Sequence, residues 1–227
     1  MHTLAVKICG ITARAALDAA IESGVEMIGL VHFEKSPRHL DIETMQVLAR
    51  AARGKVQIVI LTVNAEDGLL AALHDAVRPD WWQFHGAEEA ARIEAVRSRF
   101  GRPVMKAVGV SNADDVEHAA HMASVADRLL LDAKPPKDAD RPGGLGATFD
   151  WSLLSKLDED VSFMLSGGLT IDNVADAVHQ TSAMGVDVSS GVESAPGVKD
   201  PDLIKAFVAA ARQDAGAIQS APAQAQI

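Results

Sequence analysis

The chain has 227 residues, enough for one large domain or two small ones and for a core that needs no disulfide staple. Its 48% hydrophobic and 23% charged residues are those of an ordinary globular protein, and its longest apolar runs, such as Ile58–Leu61, fall far short of the ~20 residues of a membrane helix. A formal charge of −10 and 4% aromatics, with no tyrosine, argue against nucleic acid as a partner, whether gripped by its phosphates or stacked on rings.

Eight short segments read as buried strands, apolar on both faces and bounded by Gly, Asn, Asp or Pro: Val6–Ile11, Met27–His32, Gln57–Val63, Asp80–His85, Val104–Val110, Arg128–Lys134, Phe163–Leu169 and Gly185–Ser189. Helical spacing appears between most of them. Ala16, Leu17, Ala20 and Ile21 form one face, closed by Gly24. Asp41 is placed to cap a helix carrying Ile42, Met45, Leu48 and Ala49, and Leu69, Leu70, Leu73 and Val77 repeat the pattern. Strand and helix alternating eight times predict a single-domain α/β fold, the (β/α)₈ TIM barrel, over residues 1–212. An open doubly wound sheet is the alternative, weakened because no G-x-G-x-x-G follows the first strand. Residues 132–150 are too rich in Pro, Gly and charge for a helix and read as a long loop of the kind that serves as a lid. Residues 213–227, rich in Ala and Gln, read as a disordered tail. One cysteine and no basic-apolar leader predict a cytoplasmic protein with no membrane partner.

Strands of a parallel barrel should be apolar, so polar residues near their C-terminal ends are informative. They are Lys7 and Cys9, Gln83 and His85, Lys106, Asp132, Asp187 and Ser189. Within a strand these are two apart and share a face, which predicts one polar cluster at the barrel mouth. Each has a bland reading. Lone cysteines are mostly small buried hydrophobes, Lys7 and Lys106 could pair with Asp187 inside the barrel, Asp132 could cap its loop, and an isolated histidine is commonly a bonded core imidazole. His118 and His121 lack a matching ligand set, so no metal is expected. The turns Ser166-Gly167-Gly168 and Ser189-Ser190-Gly191 follow the seventh and eighth strands, where such barrels hold a phosphate on backbone N–H groups. Gly167, Gly168, Ser190 and Gly191 are therefore the expected phosphate site, with glycine leaving room for the oxyanion.

VKICGIT (6–12), EKSPRHL (34–40), QFHG (83–86), LLLDAK (129–134), GGLGATFDW (143–151), LSGGL (165–169) and GVDVSSGVESAPGVKD (185–200) occur in the order in which they resemble the phosphoribosylanthranilate isomerase family. The resemblance spans residues 4–212. It implies an Amadori rearrangement in tryptophan biosynthesis, converting N-(5-phosphoribosyl)anthranilate into 1-(2-carboxyphenylamino)-1-deoxyribulose 5-phosphate with no cofactor. It implies Asp132 as the general acid that opens the furanose ring, and Cys9 as the general base that takes the C2′ proton. It assigns Arg38 to the anthranilate carboxylate and His85 to substrate positioning at the mouth. Such chemistry asks the site to lower the thiol pKa or work with a minor thiolate fraction, and to raise that of Asp132. The implied partner is a phosphorylated small molecule, and the implied assembly a monomer or homodimer. Two other readings stand beside it: an indole-3-glycerol-phosphate synthase-like lyase, which needs a lysine acid and glutamate base, and a noncatalytic phosphometabolite-binding barrel, which needs no Cys9/Asp132 pair.

Overall fold

The computed structural model describes residues 4–135, 138–139 and 141–213. Its first half runs β1 (Ala5–Cys9), α1 (Arg14–Glu22), β2 (Met27–His32), α2 (Ile42–Ala52), β3 (Gln57–Thr62), α3 (Asp67–Val77), β4 (Trp81–Phe84) and α4 (Ala90–Phe100). The second half continues with β5 (Val104–Val110), α5 (Ala113–Ala123), β6 (Arg128–Ala133), β7 (Phe163–Leu165), α6 (Val174–Gln180), β8 (Gly185–Val188), the hairpin β9 (Glu193–Ala195) and β10 (Val198–Lys199), and α7 (Pro201–Gln213). Strands β1 to β8 close into a parallel barrel in sequence order, with β1 registered on β8 through Ala5↔Gly185 and Lys7↔Asp187.

Local signals set the helix ends. Asp41 caps α2 by accepting the Thr44 N–H at 2.7 Å, and Gly24 ends α1 at φ 72°. Between β6 and β7 the crossover runs through the long loop expected there, and among the described residues its helical part is one 3₁₀ stretch, Trp151–Lys156. The glycines and prolines from 135 to 146 leave no helical run to fill that crossover. Residues 136, 137 and 140 of this loop lie outside the described residues, as do 214–227 of the expected tail, whereas Gln213 is the last residue of α7.

Alternation along the strands sorts side chains into two compartments. Val6, Ile8, Ile28, Leu30, Ile58, Ile60, Val108, Leu129 and Leu131 join the helices in the outer core. Met27, Val59, Met105, Ala107, Leu130 and Met164 fill the barrel's lower interior, and Cys9, Val31 and Leu61 form a smaller cluster towards the mouth. The ladders end sooner than the apolar runs do: β1 stops at Cys9, β4 at Phe84, β7 at Leu165 and β8 at Val188. His85, Ser166 and Ser189 thus lie just past the ladders, where backbone leaves the sheet and side chains reach the mouth. Among the described residues no helix is long and apolar enough to cross a membrane.

Candidate active site

Cys9 closes β1 with its thiol inside the barrel and 5% of the residue exposed. Its neighbour on β2 is Gly29, where a Cβ would lie only 2.8 Å from the sulfur. The bare position makes the seat for Sγ. Below it, Lys7 is fully buried and donates to Asp187 at 2.8 Å, and Ser166 Oγ donates to the other Asp187 oxygen at 3.3 Å. This is the interior pairing expected as one reading of Lys7. Lys106 is different. It lies between inward-facing Met105 and Ala107, so it points into the outer layer and donates to Gly86 O at 2.6 Å and Glu88 at 3.0 Å. Its expected place at the mouth was a fault of parity, since its strand alternates in the opposite phase. Glu88 also accepts the N–H groups of Asn64 and Gly86, and so anchors the turn that carries His85.

Asp132 sits across the mouth from Cys9, at the inward position two beyond Leu130 on β6. One carboxylate oxygen accepts its neighbour Ala133's N–H at 2.8 Å, and the other lies 3.4 Å from His85 Nε2. Gly143 of the long loop covers this pair so closely that a Cβ there would sit 2.7 Å from both Asp132 Oδ2 and the imidazole. Two residues the sequence had marked separately thus meet under the loop.

Arg38 is buried, and its guanidinium is gripped edge-on by Glu193: Nε to Oε1 at 2.7 Å and Nη2 to Oε2 at 2.9 Å. Lys199 donates to the same carboxylate at 2.5 Å and to Ser189 O at 2.9 Å, while Ser189 Oγ donates to Cys9 O at 3.0 Å. Despite burial, which works the other way, the bonds from Arg38 and the Lys199 charge hold Glu193 below the usual carboxylate range. Arg38 Nη1 lies beside Gly144 and has no protein acceptor among the described residues. Glu193 and Lys199 were missed in the sequence. The signal was an acid and a base six apart around Pro196-Gly197, which the β9–β10 hairpin brings face to face.

Electrostatics favour the neutral thiol. Burial pushes the Cys9 thiol above the ordinary cysteine value and Asp187 adds to the rise, against the opposing pull of the Lys7 and Lys199 ammonium groups. Burial also works against the Lys7 ammonium, but Asp187 and the Cys9 sulfur outweigh it and hold its pKa above the usual lysine value. Of the two expectations for the base, a lowered pKa is therefore set aside in favour of a minor thiolate population.

In the turn after β7, Gly167 and Gly168 have φ of 88° and 62°, the left-handed region that favours glycine, and no protein acceptor is found for their N–H groups among the described residues. Cys9, Arg38, His85, Asp132, Gly167, Gly168 and Ser190 line one cavity together with Gln83. Gly191 does not line it. A Cβ on Gly191 would collide with the Leu169 carbonyl, and one on Gly168 would lie 2.7 Å from Ala147 O. These glycines let turns of the protein pack on each other, a different reason from the oxyanion clearance expected.

A family model described as N-(5'phosphoribosyl)anthranilate (PRA) isomerase matches residues 6–210. An N-(5'-phosphoribosyl)anthranilate isomerase of Rhodopseudomonas palustris (strain BisA53) is 56% identical over 209 residues, 92% of this chain and 96% of the relative. One of Bradyrhizobium diazoefficiens is 54% identical over 215 residues, 94% and 96% of the two chains. Among solved structures, the phosphoribosyl anthranilate isomerase of Thermotoga maritima superposes with a TM-score of 0.82 at 36% identity, covering 92% of this chain and 98% of its own. A phosphoribosyl anthranilate isomerase in complex with reduced 1-(o-carboxyphenylamino)-1-deoxyribulose 5-phosphate gives 0.79 at 33% identity, with the same coverage.

Proposed function

The chain belongs to the N-(5′-phosphoribosyl)anthranilate isomerase family and is an isomerase of tryptophan biosynthesis, and from that premise we propose how its own residues divide the work. The substrate carries an anion at each end, and the cavity offers a match for each. The free N–H groups of Gly167 and Gly168 take the phosphate, with Ser190 beside them, and Arg38 Nη1 takes the anthranilate carboxylate. Glu193 occupies the opposite edge of that guanidinium, so the outward edge is fixed before substrate arrives.

The reactive carbons then lie between Cys9 and Asp132. Asp132 delivers a proton to the furanose ring oxygen as the C1′–O bond breaks, and the aniline nitrogen's lone pair forms the C1′=N bond of a protonated Schiff base. The Cys9 thiolate removes the C2′ proton, and the electrons of that C–H bond flow into C1′=N to give an enolamine. Its tautomerisation leaves a ketone at C2′ and an amine at C1′. The cationic Schiff base acidifies the C2′ proton, so a small thiolate fraction suffices. His85 holds the Asp132 carboxyl in place from 3.4 Å. Substrate and product are phosphorylated small molecules, and we place the reaction in the cytoplasm.

The observation that carries this reading is that a thiol and a carboxyl face one cavity whose two ends are built for anions. A noncatalytic binder has no use for a thiol seated over a bare glycine. The lyase reading needs a lysine acid, but the interior lysine, Lys7, is tied to Asp187 and the Lys106 side chain points into the outer layer to Glu88. Anaerobic incubation with freshly made phosphoribosylanthranilate tests the proposal. Anthranilate-type fluorescence should decay to the ketose product, and inorganic phosphate should inhibit competitively. Failure of phosphate to compete would overturn the phosphate assignment, and absence of the ketose would overturn the activity.

A further inference from the structure

Gln83 takes no part in the proton transfers, yet both polar ends of its buried carboxamide are unpartnered among the described residues. It occupies the inward position of β4 two residues before His85, is fully buried, and lines the cavity floor with Cys9, Leu61, Ser166 and Asp187. Neither Oε1 nor Nε2 has a hydrogen-bond partner among the described residues. Its register neighbours are Leu61 and Met105, both apolar, so packing alone would be met by methionine or leucine. A buried carboxamide left unbonded on both ends is a strong penalty, and native structures rarely keep one without a function. Thr62 Oγ1 and Trp82 Nε1 are also unpartnered, but both belong to the outward phase of their strands and face away from the cavity.

Once the carboxylate, phosphate, ring oxygen, C2′ proton and the aniline nitrogen that forms the Schiff base are assigned, the polar groups of the substrate left over are the vicinal hydroxyls at C2′ and C3′. Each both donates and accepts, and so does a carboxamide. We propose that Gln83 is a substrate-recognition residue whose carboxamide hydrogen-bonds these two hydroxyls, with Nε2–H donating to one oxygen and Oε1 accepting from the other. The oxygen at C2′ ends the reaction as a carbonyl, an acceptor only, which the amide N–H still serves. The proposal rests on the isomerase reading and adds the sugar to its recognised groups.

Gln83→Met, nearly isosteric and apolar, tests it, with Gln83→Leu as a second variant. Removing an unsatisfied buried amide should leave the melting temperature equal or higher. With phosphoribosylanthranilate, kcat/KM should fall by about 10- to 100-fold. Inhibition by inorganic phosphate and by anthranilate, which lack the sugar, should be unchanged. On a substrate without the 3′-hydroxyl, where only the bond to the C2′ oxygen remains, the variant's loss should shrink to about 3- to 10-fold. A kcat/KM for the full substrate within twofold of wild type, a melting temperature lowered by several degrees, or an equal loss on the 3′-deoxy substrate would overturn the proposal. Wild-type turnover with an unaffected variant refutes Gln83 alone, whereas no wild-type turnover refutes the reading beneath it.

Discussion

The Cys9 sulfur lies within the fields of two ammonium groups, Lys7 and Lys199, and one carboxylate, Asp187; burial, joined by Asp187, outweighs the two ammonium groups. Because its folded-state pKa is raised, the thiolate fraction at a given pH is smaller than for a free cysteine and grows as pH rises. The pH dependence of Cys9 alkylation should therefore have its midpoint above the ordinary value of about 8.5. Lys199→Met removes one cation that favours the thiolate, while Arg38 still neutralises Glu193. Its midpoint should move higher still; an unchanged or lower midpoint would show that Lys199 does not act on the thiol. The place of Cys9 at the end of the first strand was legible in the sequence, whereas its part as the base is what the family resemblance implies. Its pKa was not legible, because a shift depends on burial and on Lys199, which the fold brings from 190 residues away in the chain.

Whole elements were legible where apolar runs and caps agree. The expected second and fifth strands, Met27–His32 and Val104–Val110, match β2 and β5 end for end. Ends at the mouth were less so, since the apolar runs continue past the last ladder bond. Phase was the subtler failure: Lys106 is polar in a buried strand, as the mouth residues are, but sits one position out of register with the interior. Contacts between neighbouring strands escaped notice for a related reason, and Gly29 is the clearest case. A methyl there must displace the sulfur or the Cys9 backbone, whose Cα would be 3.1 Å away. Gly29→Ala should lower stability by about 1–3 kcal/mol, the range for overpacking a filled site, and reduce kcat at least tenfold. In a Cys9→Ala background the stability cost should shrink, because the sulfur is gone. Strictly additive denaturation energies for the two changes would show that Gly29 is not the thiol's seat.

Across the whole molecule, closure of the barrel and assembly of the site are the same event. The β1–β8 seam pairs the strand bearing Cys9 with the strand leading to Ser190, and the buried Lys7–Asp187 ion pair crosses it. Outside, Arg212 of α7 donates to Ser23 O and Gly24 O beyond α1, which ties the last helix to the first. Lys7→Met leaves Asp187 charged and uncompensated inside the barrel and should cost roughly 3–5 kcal/mol of unfolding free energy. Adding Asp187→Leu should recover part of that loss in denaturant titrations; a double variant less stable than Lys7→Met would contradict the pairing. The central claim, that a buried thiol and a carboxyl on opposite sides of one mouth carry out the isomerisation, is tested most directly by turnover of phosphoribosylanthranilate by Cys9→Ala and Asp132→Asn, each paired with its affinity for a reduced product analogue. Each variant should bind the analogue within severalfold of wild type and lose roughly 10²–10⁴-fold in kcat, the contribution of one positioned proton-transfer group. Folded Cys9→Ala with near-wild-type turnover would contradict the account.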